Sequence, residues 1–355
     1  MANRGETTIK LKDVAKAAGV SQGTASNVFS KPEVVREEVR EHVLAVAKVL
    51  GYAGPSLKGR LLRAGKVNAI GVATAEPLSY FFDDPWARAI MAAISECCDA
   101  RGAGIALVSA QNRQRAAWNI ESALVDGFVL LCAEQGELLV SLTEQRELPF
   151  VALALDDAAP RTPAIAIDNA TGARLAAEHL LGLGHKQFAI LGIGGLTPGR
   201  PLRPAEVKAG RHNTIRERAD GYWQALGAAG IAPESVPFFD SDNDQAGISQ
   251  GLEALFGGSS RPTALLAMSD RVAFYAMDWL IERGIRVPED VSIIGFDGVP
   301  EGAESVPPLT TVQQPMQAIA KRAVDAILDG PVPDGPELLD LSLLVRHSTA
   351  APATN

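Results

Sequence analysis

Residues 13–29 read DVAKAAGVSQGTASNVF, and this stretch decides the fold of the first part of the chain. Apolar residues before Gly19 recur at the three- and four-residue spacing of one helix face, which predicts a helix over 11–18. Gly19 ends that helix because glycine readily adopts the left-handed conformation. Ser21 is a good N-cap for a second helix over 22–29, since its hydroxyl can accept a backbone N–H of the first turn. The stretch therefore predicts two short helices joined by a tight turn.

A third helix is predicted over 37–50, where apolar residues form one stripe and a glycine follows. Two short helices with a glycine turn, followed by a third helix, make a helix-turn-helix unit. The second helix of such a unit fits the major groove of duplex DNA, and short polar residues near its start reach the base edges. Gln22, Ser26 and Asn27 lie opposite the apolar face of this helix. The sequence thus predicts an all-α, DNA-binding head.

The charge of the chain is distributed unevenly. The whole chain carries a net charge of −9, but residues 1–66 contain 12 Lys and Arg against 6 Asp and Glu, a net charge of +6, which leaves −15 for the remainder. A basic head on an acidic protein indicates that the head meets a polyanion while the rest stays away from it. A locally basic surface without a partner is the alternative that charge alone leaves open.

The head resembles the lactose-repressor (LacI/GalR) family of transcription regulators, whose pattern is DVAxxAGVSxxTVSxVL. The resemblance implies that Ser21, Gln22, Thr24 and Asn27 face DNA, with Thr24 on phosphate. This sequence has Asn27 where the family usually has arginine. Asparagine suits the N6 and N7 atoms of adenine, whereas arginine suits guanine, so the base preference should differ. The family also has helix-capping hydroxyls at two positions that are Lys10 and Arg36 in this sequence.

Residues 51–66 contain glycine and proline and read as a linker, with a short helix predicted over 57–63. Seven residues cannot hold a helix alone in water, so this helix should form only when paired or bound to DNA. The segment resembles the family hinge GYxPNxxARxL. The resemblance implies that Lys58 and Arg60 contact phosphate and that Leu62 is an apolar wedge in the minor groove. Packing of Leu62 against the rest of the protein is the alternative.

From residue 67 onward, short β-rich runs alternate with helical stretches. The predicted strands are 68–73, 105–109, 127–132, 150–155, 188–192, 264–268 and 291–296. The predicted helices are 86–101, 172–183, 220–229, 248–255, 271–283 and 317–328. This alternation predicts an α/β body in which parallel sheets carry helices on both faces, with ligands bound at the carboxyl ends of the strands.

The body resembles the same family from end to end. The matching segments are DNATG (168–172), AEHLLGLGHK (177–186), RADGY (218–222), PTALLAMSDRVA (262–273), GIRVPEDVSIIGFDGVP (284–300), PPLTTVQQP (307–315) and LLVRHST (343–349). The resemblance implies two Rossmann-like lobes of the periplasmic-binding-protein type, joined by crossing strands. It also implies a homodimer, with a tetramer as the alternative, on a near-palindromic DNA operator.

The predicted domains follow from these patterns. They are a helix-turn-helix domain (1–53), a hinge (54–66) and an effector-binding and dimerisation domain (67–355). Within the last domain, the first lobe is predicted to comprise about 67–166 and 298–330. The second lobe is predicted to comprise about 167–297 and 331–355.

Polar residues just past strand ends predict a ligand site between the lobes. A polyol needs carboxylates that accept hydroxyl groups and an arginine that donates a fork of N–H groups. The effector positions implied by the resemblance are Asp84, Trp86, Asp156, Arg218, Asp270, Asp297 and Gln314. Asp168 and His185 are interpreted as mainly structural. The Gly- and Pro-rich stretch 197–211 resembles the family least and is predicted to be a mobile loop that covers the ligand.

These observations predict a transcription repressor that is controlled by a sugar-like effector, which either releases DNA or strengthens the binding. A solute-binding protein without a DNA role is the alternative, and a sugar-processing enzyme is a third hypothesis. The enzyme hypothesis is disfavoured because the chain lacks the G-x-S-x-G, P-loop and H-E-x-x-H motifs. Gly192, Gly194 and Gly195 follow a strand. The third glycine of the dinucleotide fingerprint G-x-G-x-x-G would stand at position 197, and it is missing there.

The composition excludes several other classes. No run of about 18 apolar residues predicts a membrane span, and no apolar stretch near the start resembles a signal peptide. We therefore expect a cytoplasmic protein. Cys97, Cys98 and Cys132 lack metal-ligand spacing and are interpreted as small apolar residues with reduced thiols. No cofactor and no metal are expected.

Overall fold

The structure, a computed structural model, describes residues 9–52, 54, 66–131, 136–154, 161–196, 200–241, 243–258 and 261–353. It divides the chain into two compact units, Met1–Val67 and Asn68–Asn355, which we call the head and the body. The predicted limits of the hinge stay predictions, because most of that segment lies outside the described residues. No helix in the described ranges combines the length and the apolar character needed to cross a membrane.

The head contains the three predicted helices, and their ends lie within one residue of the prediction. They are α1 (Leu11–Ala17), α2 (Gln22–Ser30) and α3 (Glu37–Val49). Ser21 caps α2 as predicted, since its Oγ accepts the N–H of Thr24 at 3.0 Å. Lys10 has no hydroxyl to cap α1, and the Asp13 carboxylate accepts the N–H of Lys10 at 2.9 Å instead. The core consists of small side chains from all three helices: Val14, Ala15, Ala18, Ala25, Val28, Val43 and Ala47.

The body consists of alternating strands and helices, as its sequence predicts. Its strands are β1 (Ala69–Thr74), β2 (Gly104–Ser109), β3 (Gly127–Leu131), β4 (Phe150–Leu153), β5 (Ala164–Ile167), β6 (Phe188–Leu191), β7 (Pro201–Leu202), β8 (Phe238–Phe239), β9 (Ala264–Ala267), β10 (Ser292–Asp297), β11 (Thr310–Gln313), β12 (Pro336–Leu339) and β13 (Ser342–Leu344). Its helices are α4 (Tyr80–Asp83), α5 (Pro85–Arg101), α6 (Arg113–Ser122), α7 (Gly136–Glu144), α8 (Asn169–Gly182), α9 (Pro204–Lys208), α10 (Asn213–Ala228), α11 (Gln245–Phe256), α12 (Asp270–Glu282), α13 (Glu301–Glu304) and α14 (Met316–Leu328).

The strands form two sheets, one for each lobe. The first has six parallel strands in the order β12-β5-β4-β3-β1-β2. The second has the order β13-β11-β10-β9-β6-β8-β7, with β13 and β7 antiparallel to their neighbours. Each sheet has an apolar cluster on both faces. This confirms the predicted two-lobed α/β architecture.

Two short strands lie in a different sheet from the one that the predicted lobe ranges imply. β11, within 298–330, pairs with β10 in the second sheet. β12, within 331–355, pairs with β5 in the first sheet. The chain crosses between the sheets before and after β12, and α14 packs on the first sheet. A strand of four residues carries too little pattern to reveal which sheet accepts it.

The stretch 197–211 was predicted to be a mobile loop over the ligand, but its described part is folded onto the second sheet. β7 pairs with β8 at the sheet edge, and α9 follows. Leu202 and Val207 belong to the core of the second lobe. Residues 197–199 lie outside the described residues. The stretch therefore extends the sheet, and the prediction of a mobile loop is wrong for the part that is described.

Helices α8 and α10 pack closely at Gly221, and we predict opposite effects for two glycine-to-alanine changes on α10. A Cβ at Gly221 would lie 2.2 Å from the backbone oxygen of Ala170, whereas a Cβ at the exposed Gly227 would meet nothing within 4 Å. Gly221→Ala should lower the free energy of unfolding by about 1–3 kcal/mol, because the two backbones must move apart. Gly227→Ala should raise it by up to about 1 kcal/mol, since alanine favours the helix. Urea denaturation of both variants measures the difference, and equal effects would contradict the close packing.

Candidate functional site

The predicted DNA-facing residues lie at the start of α2. Ser21 and Gln22 are exposed, and Thr24 and Asn27 are half-buried. The hydroxyl oxygens of Ser21 and Thr24 lie 2.9 Å apart and hydrogen-bond each other. These two residues therefore also fix the start of the helix. The predicted hinge contacts Lys58, Arg60 and Leu62 lie outside the described residues.

In the body, four predicted effector residues form one chain of polar contacts between the lobes. Arg218 of α10 lies 3.8 Å from Asp297 at the end of β10. The side-chain amide of Gln314, which follows β11, donates to Asp297 Oδ1 at 2.8 Å. The indole N–H of Trp86, on α5 of the first lobe, donates to Gln314 Oε1 at 3.1 Å. The chain of contacts thus runs from one lobe to the other at the carboxyl ends of the strands.

Arg218 is the buried cation of this site. It is 5% exposed and Asp297 is 6% exposed. Its Nε donates to Asn169 Oδ1 at 2.9 Å, and its Nη1 donates to the carbonyl of Met268. Its guanidinium lies over the Phe296 ring, 3.6 Å from the centroid, an arrangement that favours a cation. Burial lowers the pKa of Arg218, and the charge of Asp297 opposes this effect.

Asp297 combines a buried charge with an unusual backbone. Its φ of 133° lies in a region that residues other than glycine rarely adopt. Burial raises the pKa of Asp297 well above its ordinary value, which the charge of Arg218 counteracts and that of Asp270 reinforces. Backbone strain of this kind persists only where the surroundings enforce it, and it is concentrated at functional sites. Asp297 is thus the strongest candidate for a ligand contact among the described residues.

Asp270 was predicted to bind the effector, and this stays a prediction, because its carboxylate is bound by the protein itself in the structure. The side chain is 0% exposed. One carboxylate oxygen accepts the N–H groups of Gly298 and Val299, both at 2.8 Å, and the other accepts the hydroxyl of Thr311. Asp270 therefore positions the turn that follows Asp297, and three donors of the protein already bind its carboxylate.

The other predicted positions divide between described and undescribed parts of the chain. Asp84 is buried: its Oδ1 accepts the N–H of Ala87 at 3.0 Å, and its Oδ2 lies 3.3 Å from Nη1 of Arg271. Trp86 is half-buried beside it. Asp156 and Cys132 lie outside the described residues, and Cys98 is buried while Cys97 is half-buried.

Sequence reasoning missed three residues of the site. Asn169 orients Arg218, Phe296 lies under its guanidinium, and Arg271 pairs with Asp84. Asn169 stands in the segment DNATG, next to Asp168, so a signal for it was present. Phe296 and Arg271 also stand in matching segments, but their roles depend on contacts with distant parts of the chain, which spacing does not reveal.

Two residues interpreted as structural have structural contacts. Asp168 caps α8, because its Oδ1 accepts the N–H of Thr171 at 2.8 Å. His185 is buried and lies within hydrogen-bonding distance of Thr263 Oγ1 and the carbonyl of Ala350, 2.9 and 2.8 Å away. Burial lowers the pKa of His185.

The glycine-rich turn after β6 is occupied by the protein itself. Asp240, at the end of β8, accepts the N–H of Gly194 at 3.0 Å and that of Leu196 at 2.7 Å. Backbone N–H groups in such a turn are the ones that a dinucleotide phosphate would need. The Asp240 carboxylate takes them, and this disfavours a dinucleotide site.

The buried carboxyl groups predict a pH dependence of stability. Burial raises the pKa of Asp270 to about 6, against the lowering effect of Thr311 and the two backbone N–H groups. A carboxyl group whose pKa is higher in the native state stabilises that state below about pH 4, and this contribution is lost as the pH rises through the native pKa. Between pH 4 and 7, the free energy of unfolding of the wild type should therefore fall by on the order of 1–2 kcal/mol more than that of Asp270→Asn. Urea denaturation at several pH values measures this, and parallel curves would contradict it.

Comparison with known proteins gives matches over both units. Residues 10–54 match the profile described as "Bacterial regulatory proteins, lacI family", and residues 177–349 match "Periplasmic binding protein-like domain". The chain is 37% identical to the HTH-type transcriptional regulator Rv3575c of Mycobacterium tuberculosis, over 96% of this chain and 97% of that protein. It is 33% identical to the HTH-type transcriptional repressor PurR of Escherichia coli O1:K1 / APEC, over 90% and 89%. The lac repressor dimer bound to operator and the anti-inducer ONPF is 27% identical, with a TM-score of 0.73 over 97% of this chain and 99% of that one.

Proposed function

Because the chain belongs to the lacI family of bacterial regulatory proteins, we propose that it is a sequence-specific DNA-binding repressor of transcription under the control of a small, sugar-like effector. The observation that carries this proposal is the chain of contacts from Trp86 through Gln314 and Asp297 to Arg218. It connects the two lobes at the carboxyl ends of their strands. A helix-turn-helix head on the same chain supplies the DNA-binding unit.

The head acts as one half of a homodimer. Gln22 and Asn27 of α2 read base edges in the major groove, while Ser21 and Thr24 hold the start of the helix and contact the backbone. A two-fold dimer presents two such helices, so a near-palindromic operator fits it. The lac repressor, a dimer bound to its operator, supports this arrangement. Lys58, Arg60 and Leu62 of the proposed hinge add phosphate and minor-groove contacts.

The body acts as the sensor. A polyol between the lobes contacts Asp297, Arg218 and Gln314 through its hydroxyl groups, and Trp86 offers an aromatic face to the ring. Asp84 and Asp156 complete the proposed site, and Asp270 supports it from behind. In the structure these groups contact one another, so a ligand must replace some of these contacts with its own hydrogen bonds. The effector changes DNA binding only insofar as it binds one lobe arrangement more tightly than the other.

The remaining assignments follow from the proposal. A role other than catalysis is supported by relatives named as transcriptional regulators and by Asp240, which occupies the glycine-rich turn. A cytoplasmic location follows from binding to chromosomal DNA. We assign no cofactor.

Two measurements on the full-length protein test the function. Selection from a pool of random duplexes at moderate salt should enrich one near-palindromic sequence, and Gln22→Ala combined with Asn27→Ala should abolish the enrichment. A thermal-shift screen of sugars, polyols and nucleosides should then identify a ligand, since a compound at 100 times its Kd stabilises the native state by about 2.7 kcal/mol. Ligand binding without any DNA preference would instead support a solute-binding protein, and failure of both measurements would overturn the proposal.

A further inference from the structure

The first turn of α5 contacts the second lobe at three points. Asp84 Oδ2 lies 3.3 Å from Nη1 of Arg271, near the start of α12. Trp86 donates to Gln314, and Arg88 forms an ion pair with Glu301 of α13. Every second residue of this turn therefore reaches across the cleft. Only the middle contact belongs to the chain of polar groups that leads to Arg218.

Both ion pairs are tied to the start of α5. The Asp84 carboxylate also caps the helix by accepting the N–H of Ala87 at 3.0 Å. Arg88 also donates from Nη1 to the carbonyl of Phe82 at 2.9 Å, so its side chain is held on the first lobe. These contacts reduce the side-chain freedom that is lost when the ion pairs form. A change in the distance between the lobes would break both pairs together.

We infer that the first turn of α5 is an interlobe clamp, in which Asp84–Arg271 and Arg88–Glu301 hold the lobes together before any effector binds. Arg88 and Glu301 lie outside the polar chain of the effector site and act as positioning residues. The clamp sets the fraction of molecules in which the lobes touch, and this fraction scales the apparent affinity for any ligand that both lobes bind. The inference concerns the body alone and does not depend on the proposed DNA or effector specificity.

Hydrogen exchange of the Trp86 indole N–H tests the clamp in the full-length protein without ligand. This N–H is bonded across the cleft, so its exchange rate reports the fraction of molecules in which the lobes have separated. Arg88→Glu, which places two carboxylates together, should raise the rate at least about threefold. The charge swap Arg88→Glu with Glu301→Arg should restore the rate to within about twofold of the wild type. NMR resolves the indole signal, and loss of the signal in Trp86→Phe assigns it.

Matched controls separate a clamp from a general loss of stability. Arg174 and Glu178 form an ion pair within α8, with side chains 42% and 47% exposed, close to the 45% and 39% of Arg88 and Glu301. Arg174→Glu should leave the Trp86 rate unchanged. The indole groups of Trp223 and Trp279, buried in the second lobe, should also keep their rates in Arg88→Glu. An unchanged Trp86 rate in Arg88→Glu, a swap that fails to restore it, or equal acceleration of all three indoles would overturn the inference.

Discussion

Arg218→Met should lower the free energy of unfolding of the body by about 3–5 kcal/mol, the cost of breaking a buried ion pair by removing one partner. Arg218 forms an ion pair with Asp297, and methionine retains much of its bulk without its charge. The variant leaves a buried carboxylate uncompensated, and it also leaves Asn169 and the Met268 carbonyl without their donor. Urea denaturation followed by circular dichroism measures the change.

A second substitution identifies the cause of this loss. Asp297→Asn in the Arg218→Met background should recover part of the stability, because the unpaired charge is then removed. Arg174→Met, which breaks an exposed ion pair, should change the free energy of unfolding by less than about 0.5 kcal/mol. If Arg218→Met unfolds like the wild type, Arg218 does not compensate a buried charge. The proposed effector site would then lack the ion pair on which it is built.

Asn27→Ala should weaken binding to the selected operator by about 1–3 kcal/mol, or roughly 5- to 100-fold, while binding to random duplex DNA stays nearly constant. Asparagine offers a donor and an acceptor to adenine, whereas phosphate contacts elsewhere on the head carry the non-specific affinity. Fluorescence anisotropy at one fixed salt concentration gives both affinities, because protein–DNA affinities depend strongly on salt.

The family residue at this position provides a further control. Asn27→Arg should restore affinity on operators in which guanine replaces the contacted adenine, since arginine pairs with guanine O6 and N7. Ser30→Ala, at the far end of α2, should leave both affinities unchanged. An equal loss on operator and random DNA in Asn27→Ala would show that Asn27 contacts the backbone rather than a base.

The head was predictable because its signals are local. Gly19 and Ser21 mark the turn, and apolar residues three or four positions apart define each helix. In the body, long strands such as β1 and β10 were predicted within one residue at each end, since continuous apolar runs mark them. The strands β4, β6 and β9 have four residues each and were predicted, but β5, β11 and β12 were not, and β11 and β12 contain polar residues or a proline that interrupt the apolar run. The sequence therefore did not reveal them.

The candidate site was predictable in position but not in orientation. Arg218, Asp297 and Gln314 follow strand ends or motifs and do come together in the structure. Asp270 also follows a strand end, yet its carboxylate turns toward the amides of Gly298 and Val299. The position of a residue after a strand predicts the edge of the sheet at which it lies. It does not predict whether its side chain binds a ligand or a neighbouring group of the protein.

The edge strand β7 has a consequence for self-association. β7 forms the outer border of the second sheet, has only two residues, and begins with Pro201, which has no backbone N–H to offer. Short borders that contain proline are poor templates for intermolecular β-pairing. We therefore expect β7 to protect this edge of the body against fibril-like aggregation when the protein is concentrated.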